Sequence, residues 1–167
     1  MERQVDAASR PTPYNVLFVC TGNTCRSPMA EAIAREDLER RGWRHIQVRS
    51  AGVAAERGGP ASEMAIRALA DRGILLSGHS SRLLDASLVG WADLVLVMSP
   101  SHLGMVDSLG GSHKVSLLGD FAAGGEGAGA PVPDPFGGDQ AIYASTLREL
   151  EWLVGRALDR LAPIVSP

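Results

Sequence analysis

Apolar and polar positions along this chain fall into blocks whose period switches repeatedly between that of a strand and that of a helix. Tyr14 to Val19 (YNVLFV) is a short, β-rich apolar run that stops abruptly at a small polar segment, Cys20 to Ser27. The pattern predicts a strand and then a tight loop. Pro28 suits the first turn of a helix. After it, Met29, Ile33, Ala34 and Leu38 form one apolar stripe among charged neighbours that runs to Arg41, and Gly42 ends it.

The same alternation continues to the C-terminus. Ile46 to Ser50 (IQVRS) alternates like a second strand, and Ala61 to Arg72 carries Ala, Met, Ile and Leu at helical spacing before Gly73. Ala92 to Met98 (ADLVLVM) is almost continuously apolar, as a parallel strand covered on both faces must be. Val115 to Leu118 is a fourth such run, and Pro100 to Leu109 is expected to be helical between them. Gly119 to Pro133 (GDFAAGGEGAGAPVP), the one low-complexity stretch, reads as a flexible surface loop. Asp139 to Leu161 returns to helical period, with Tyr143, Leu147, Leu150, Val154, Leu158 and Leu161 on its buried side. Trp43, Trp91 and Trp152 are assigned to the core or its rim. A β-α alternation of this kind specifies an α/β fold: a four-stranded parallel sheet with helices on both faces. The expected domain spans 14–165, after a loosely ordered tail at 1–13 (MERQVDAASRPTP).

Composition narrows the function. A chain of 167 residues with 45% hydrophobic and 21% charged content matches one globular domain. Its net charge of -3 gives no basic field for general capture of nucleic acid, so any anion site must be local. The N-terminal stretch has no apolar core of a signal peptide, and no run of about 18 apolar residues occurs, so neither export nor membrane spanning is expected. Two cysteines are too few for a disulfide scaffold or a thiolate zinc cage, which favours the cytoplasm. His45, His79, His102 and His113 lack metal-site spacing, so no metal and no cofactor is expected.

The loop Cys20-Thr21-Gly22-Asn23-Thr24-Cys25-Arg26-Ser27 lies between a strand and a helix, so its backbone N–H groups can converge on an anion with the helix N-terminus behind them. It differs from nucleotide-binding loops in having no Lys after glycine, a thiol at its first position and a guanidinium six residues later. A thiol facing these dipoles and Arg26 is favoured as the thiolate nucleophile. Arg26 can pair bidentately with two phosphate oxygens, and Ser27 can donate a hydroxyl hydrogen bond to the sulfur. Cys20 alone would read as a small buried hydrophobe; the combination with Arg26 and Ser27 points to phosphoryl chemistry.

At these residues the sequence resembles the low-molecular-weight protein tyrosine phosphatase family, whose signature is Cys, five residues, Arg, Ser after the first strand and then a helix opening with Pro and Ala-Glu, here Pro28-Met29-Ala30-Glu31. Ser50-Ala51-Gly52, Gly78-His79-Ser80 and Asp134-Pro135-Phe136 also fall where that family's pattern puts them, so the resemblance covers roughly residues 14 to 160. It implies a flavodoxin-like three-layer sandwich and hydrolysis without a cofactor, through a phosphocysteine on Cys20. Arg26 would hold the phosphate and Asp134 would protonate the leaving group and then activate water. Without the family, Asp134-Pro135 is simply a turn. The resemblance further implies a pocket built from the loop, Thr21 to Cys25 and Ser27, and walled by Phe136, with His79, Asn23 and Ser50 ordering the loop.

For the substrate, a phosphorylated protein or peptide, the protein-arginine phosphatase branch is similar to this chain in its Cys-Thr-Gly-Asn-Thr-Cys-Arg-Ser loop and its Asp-Pro-Phe-Gly-Gly run. Thr24 puts a hydroxyl where tyrosine-directed members carry a bulky aliphatic, which suits a phosphoramidate on a hydrogen-bonding guanidinium. Phosphoarginine is therefore favoured over phosphotyrosine. Arsenate reduction needs relay cysteines, and none follows Cys25; a binding module without turnover would not need Cys20, Arg26 and Asp134 together. Cys25 shares the loop with Cys20, so a reversible disulfide between them is expected on oxidation. A monomer is favoured over an oligomer.

Overall fold

A computed structural model describes residues 12–76 and 78–165; positions 1–11 of the expected tail lie outside the described residues. Strand β1 (Tyr14–Cys20) occupies the middle of a four-stranded sheet because both of its faces are apolar. Val16, Phe18 and Cys20 point to one side, and Leu17 and Val19 to the other. On one side of β1 runs β2 (Ile46–Gly52), in register from Tyr14↔Ile46 to Cys20↔Gly52. On the other side runs β3 (Leu94–Val97), and β4 (Val115–Leu117) lies beyond it. All pairings are parallel and the order is β2-β1-β3-β4.

Helices cover both faces. Over Val16 and Phe18 pack α1 (Arg26–Arg41), α2 (Glu63–Ala70), α5 (Leu118–Ala123) and α6 (Gln140–Val165), through residues such as Met29, Leu69, Leu118 and Leu150. Against Leu17 and Val19 pack α3 (Ala86–Trp91) and α4 (Leu103–Ser108), through Leu88, Val89 and Val106. The fold is the expected α/β three-layer sandwich. Gly42 ends α1 at φ 73, a left-handed conformation that costs glycine least.

Four local expectations are corrected. Pro100 to Leu109 is not one helix: Pro100–His102 forms a single 3-10 turn before α4. Helix α3 was not anticipated, because six residues are too few to display a period; its signal is Asp85, whose carboxylate caps it by accepting from the Leu88 N–H at 2.8 Å. Trp152 is neither core nor rim: it is 62% exposed on the outer face of α6, with the Arg156 guanidinium 5.9 Å from its ring centroid.

The fourth correction concerns Gly119 to Pro133, which is not a free loop. Its first five residues belong to α5, and the Asp120 carboxylate accepts from the N–H groups of Gly127 and Gly129 at 3.0 and 2.9 Å. Val132 is buried, and its N–H bonds the Met98 carbonyl at 2.9 Å. At Gly119 and Gly129 glycine is needed because two backbones pass too closely for side chains: a Cβ on Gly119 would lie 2.1 Å from the Ala130 oxygen. Gly119→Ala is therefore expected to lower stability by about 2 kcal/mol in urea denaturation, through overpacking against backbone. Gly125→Ala, where a Cβ meets open space, is expected to stay within about 0.5 kcal/mol of the parent.

Candidate active site

The sheet changes direction at β1: the chain leaves it for β2 on one side and later reaches β3 on the other. That switch opens a crevice at the C-terminal strand ends. Cys20 closes β1 there, and Ser99 follows β3 by two residues. The loop from Thr21 crosses the crevice into α1. Among the described residues, no N–H from Thr21 to Cys25 is bonded to a backbone carbonyl. Those donors and the N-terminus of a 16-residue helix remain for an anion.

Three things hold the loop in shape. Its rear lies against the turn that follows β2, with the Val53 and Ala54 N–H groups bonded to the Cys20 and Thr21 carbonyls at 3.0 and 2.9 Å. Gly52 permits this approach, since a Cβ there would fall 2.5 Å from the Thr21 oxygen. At the bend, Asn23 takes a left-handed φ of 55° and is fully buried. Its amide Nδ2 donates to Ser27 Oγ and Ser50 Oγ, both at 2.9 Å, and its Oδ1 accepts from the Arg82 N–H at 3.0 Å. The His79 ring nitrogen Nε2 donates to the Asn23 carbonyl at 2.7 Å.

The arrangement around Cys20 follows from counting donors. Ser27 Oγ accepts from Asn23, so its own hydrogen is free to be donated; Cys20 Sγ lies at 2.9 Å and the Ala51 carbonyl at 3.4 Å. The shorter contact gives the sulfur a hydroxyl donor. Cys25 faces other partners: its sulfur is 3.2 Å from the Tyr143 hydroxyl and 3.6 Å from Ser62 Oγ. Both cysteines are free thiols. Burial, and then the bond with Cys25, raise the Tyr143 pKa, so its hydroxyl stays protonated.

Arg26 is 4% exposed, and its guanidinium is clamped along one edge. Nη1 donates to Ser99 Oγ and to the Val132 carbonyl, both at 3.0 Å, and Nη2 donates to Thr21 Oγ1 at 3.3 Å. Nε is buried and has no hydrogen-bond partner among the described residues. The fork is thus fixed through its two terminal nitrogens while Nε is left without a partner. Asp134 Oδ2 lies 3.6 Å from Nη2, and Oδ1 accepts from the Phe136 N–H at 3.0 Å, in an Asx turn that orients the carboxylate. Phe136 is 78% exposed at the rim. Cys20, Thr21, Gly22, Thr24, Cys25, Arg26, Asp134 and Phe136 line one cavity of about 210 Å³. Asn23 and Ser27 stand behind it as supports. Among the described residues no cluster of His, Cys, Asp and Glu could hold a metal ion.

A model of the low molecular weight phosphotyrosine protein phosphatase family matches residues 15–163. The chain belongs to this family. It is accordingly a cysteine-dependent phosphatase. A protein-arginine-phosphatase of Bacillus subtilis (strain 168) is 43% identical over 149 residues, covering 88% of this chain and 96% of the relative. A low molecular weight protein-tyrosine-phosphatase of Streptomyces coelicolor is 35% identical over 144 residues, covering 83% and 87%. Among solved structures, the arginine phosphatase YwlE, as a cysteine-to-serine mutant with a phosphorylated active-site serine, has a TM-score of 0.82 and 42% identity, covering 88% of this chain and 95% of that one. No helix among the described residues is long and apolar enough to cross a membrane.

Sequence reasoning missed Ser99, His102 and the Val132 carbonyl. The signal for the first two was their place just after an apolar strand, on the edge where parallel sheets bind ligands. His102 is buried; desolvation, and then the charge of Arg26, lower its pKa to about 4, against a smaller opposing pull from Asp134. Between about pH 4 and 6.5 the unfolded chain therefore binds more protons at this residue than the folded one. The stability it contributes is complete above about pH 6.5 and is lost as the pH falls through that window. Urea midpoints at pH 7.5 and 4.5 are expected to differ less in His102→Gln than in the parent, since the carboxylates common to both proteins cancel.

Proposed function

We propose that the chain dephosphorylates proteins at phosphoarginine, through a covalent phosphocysteine on Cys20. The observation that carries the catalytic assignment is the unpartnered Nε of Arg26, a residue that lines the same cavity as Cys20 and Asp134. Two non-bridging phosphoryl oxygens fit the Nε and Nη2 side of the fork, while loop N–H groups take the rest of the charge. The thiolate then attacks phosphorus in line as the P–N bond breaks, and Asp134 as the acid gives its proton to the leaving nitrogen. In the second half the Asp134 carboxylate removes a proton from water, whose oxygen attacks phosphorus. The S–P bond breaks, and the Ser27 hydroxyl stabilises the departing sulfur.

Phosphoarginine is favoured by the leaving-group side of the cavity. Thr24 lines it, and the contact found for its hydroxyl is a long one, 3.7 Å to Cys25 Sγ. The oxygen is thus not committed to the loop's own backbone and can meet a guanidinium. Asp134, 48% exposed, adds an acceptor for guanidinium N–H groups. The two relatives named as arginine phosphatases match 149 and 151 residues at 43% and 39% identity, whereas relatives named for tyrosine match at 35% over 144 residues or at 46% over 83. Phosphotyrosine is the second reading, supported by the exposed Phe136 ring, which can stack on a phenol. Two free thiols in one loop suit a reducing compartment such as the cytoplasm, where a reversible Cys20–Cys25 disulfide would form only under oxidation.

Matched peptides carrying phosphoarginine or phosphotyrosine test this by kcat/KM, with Cys20→Ser as the inactive control. Phosphoarginine is expected to be preferred by more than about a hundredfold, or about 2.7 kcal/mol. Thr24→Ile is expected to cut that preference at least about tenfold while leaving phosphotyrosine turnover in place. A parent enzyme that prefers phosphotyrosine would refute the substrate assignment, and activity surviving in Cys20→Ser would refute the covalent one.

A further inference from the structure

Arg26 donates to two hydroxyl-bearing residues, Thr21 and Ser99, and one buried imidazole stands behind both. His102 Nδ1 accepts from the Ser99 N–H at 3.2 Å, and its Nε2 lies 3.0 Å from Thr21 Oγ1. We propose that His102 is a positioning residue that makes the Thr21 hydroxyl a donor to the bound phosphoryl group. The proposal rests on the phosphatase reading above and adds a side-chain donor to its anion site.

The hydrogen positions follow from the partners. A backbone N–H can only donate, so Nδ1 bonded to Ser99 carries no proton. The ring is neutral at ordinary pH, since burial and the neighbouring Arg26 charge disfavour its protonation, so its one N–H is on Nε2 and points at Thr21. Thr21 Oγ1 therefore accepts from His102 and also from Arg26 Nη2 at 3.3 Å. A hydroxyl has two lone pairs and one hydrogen. With both lone pairs engaged by donors, the Thr21 hydrogen must be directed elsewhere. Thr21 is exposed and lines the cavity with Cys20, Arg26 and Asp134, so an oxygen of a phosphoryl group held by Arg26 is placed to accept it.

Without the imidazole donor the hydroxyl is free to rotate its hydrogen away from the anion. Thr21 would then be a smaller, unspecific neighbour of Arg26, and the arginine would lose part of its support on the Nη2 side. The effect on binding is therefore expected to require both residues together.

Calorimetric titration with inorganic phosphate measures this without turnover, and kcat/KM on a phosphopeptide follows it. Thr21→Val, close in shape and lacking the hydroxyl, is expected to weaken phosphate binding about tenfold, as loss of one hydrogen bond to a charged group does. Thr21→Ser should stay within about threefold of the parent. His102→Ala should lose about as much as Thr21→Val, and the double variant little more than either, because the two act as one unit. His102→Gln, whose amide can replace the Nε2–H donor, should recover most of the loss. A role for His102 in packing alone would make the losses multiply and leave glutamine no better than alanine; either result overturns the proposal. Should His102→Ala fail to fold, the Thr21 variants still decide: a valine variant within twofold of the parent overturns it. A parent protein that neither binds phosphate nor turns over phosphopeptide overturns the phosphatase reading and this inference with it.

Discussion

A guanidinium buried in the sheet's crevice is the constraint on which the site depends. Removing a charge of this kind from water costs on the order of several kcal/mol, and the protein offsets this with neutral acceptors: the Ser99 and Thr21 hydroxyls and the Val132 carbonyl. The nearest carboxylate, Asp134, is 3.6 Å away and half exposed, too weakly placed to neutralise the charge. Arg26 thus keeps most of its attraction for an anion. Its Nε is buried and unpartnered, which on the proposed reading leaves it for the anion. A phosphoryl dianion supplies the charge and geometry that the fold withholds.

Each acceptor arrives from a different part of the chain, which explains why the topology matters. Thr21 comes from the loop after β1, Ser99 from the end of β3, and Val132 from the segment after α5. These segments meet only because β3 pairs with β1 on the side opposite β2, and because Val132 is tied to Met98 at 2.9 Å. The glycine-rich segment is consequently structural. Its tight backbone crossing at Gly119 and Ala130 sets where the Val132 carbonyl sits and where Asp134 emerges two residues later.

Much of this was legible beforehand where a residue's role is written locally. Three strands appear as apolar runs and β2 as an alternation, and Cys20, Arg26 and Ser27 are fixed by spacing within one loop. His79, Asn23 and Ser50 needed a family pattern to be noticed, since their bonds span 27 to 56 residues. Ser99 and His102 had no such pattern and look like ordinary turn residues until β3 is set beside β1. The misreading of Gly119 to Pro133 has the opposite cause: composition reports a lack of side chains, and that lack follows equally from mobility and from close backbone packing. Trp152 shows the same limit for burial, because its long apolar body lies on the solvent face of a helix whose Leu150 and Leu153 already fill the core.

The two halves of the site are built separately, and this separates affinity from selectivity. On the proposed reading, phosphate recognition belongs to the buried network of Arg26, the loop backbone, Asn23 and Ser27, whose side chains are held by partners on several elements while the loop N–H groups and Arg26 Nε are left for the anion. The same reading gives recognition of the leaving group to Thr24, Asp134 and Phe136, which are more exposed and held by few contacts. A change in the first group leaves a buried donor or charge unpaired, so it damages the fold and the chemistry together. A change in the second alters a partly solvated wall at small cost to stability. Substrate preference in this chain is therefore expected to turn on a few rim residues while the clamp stays constant, consistent with relatives named for arginine and for tyrosine sharing one architecture.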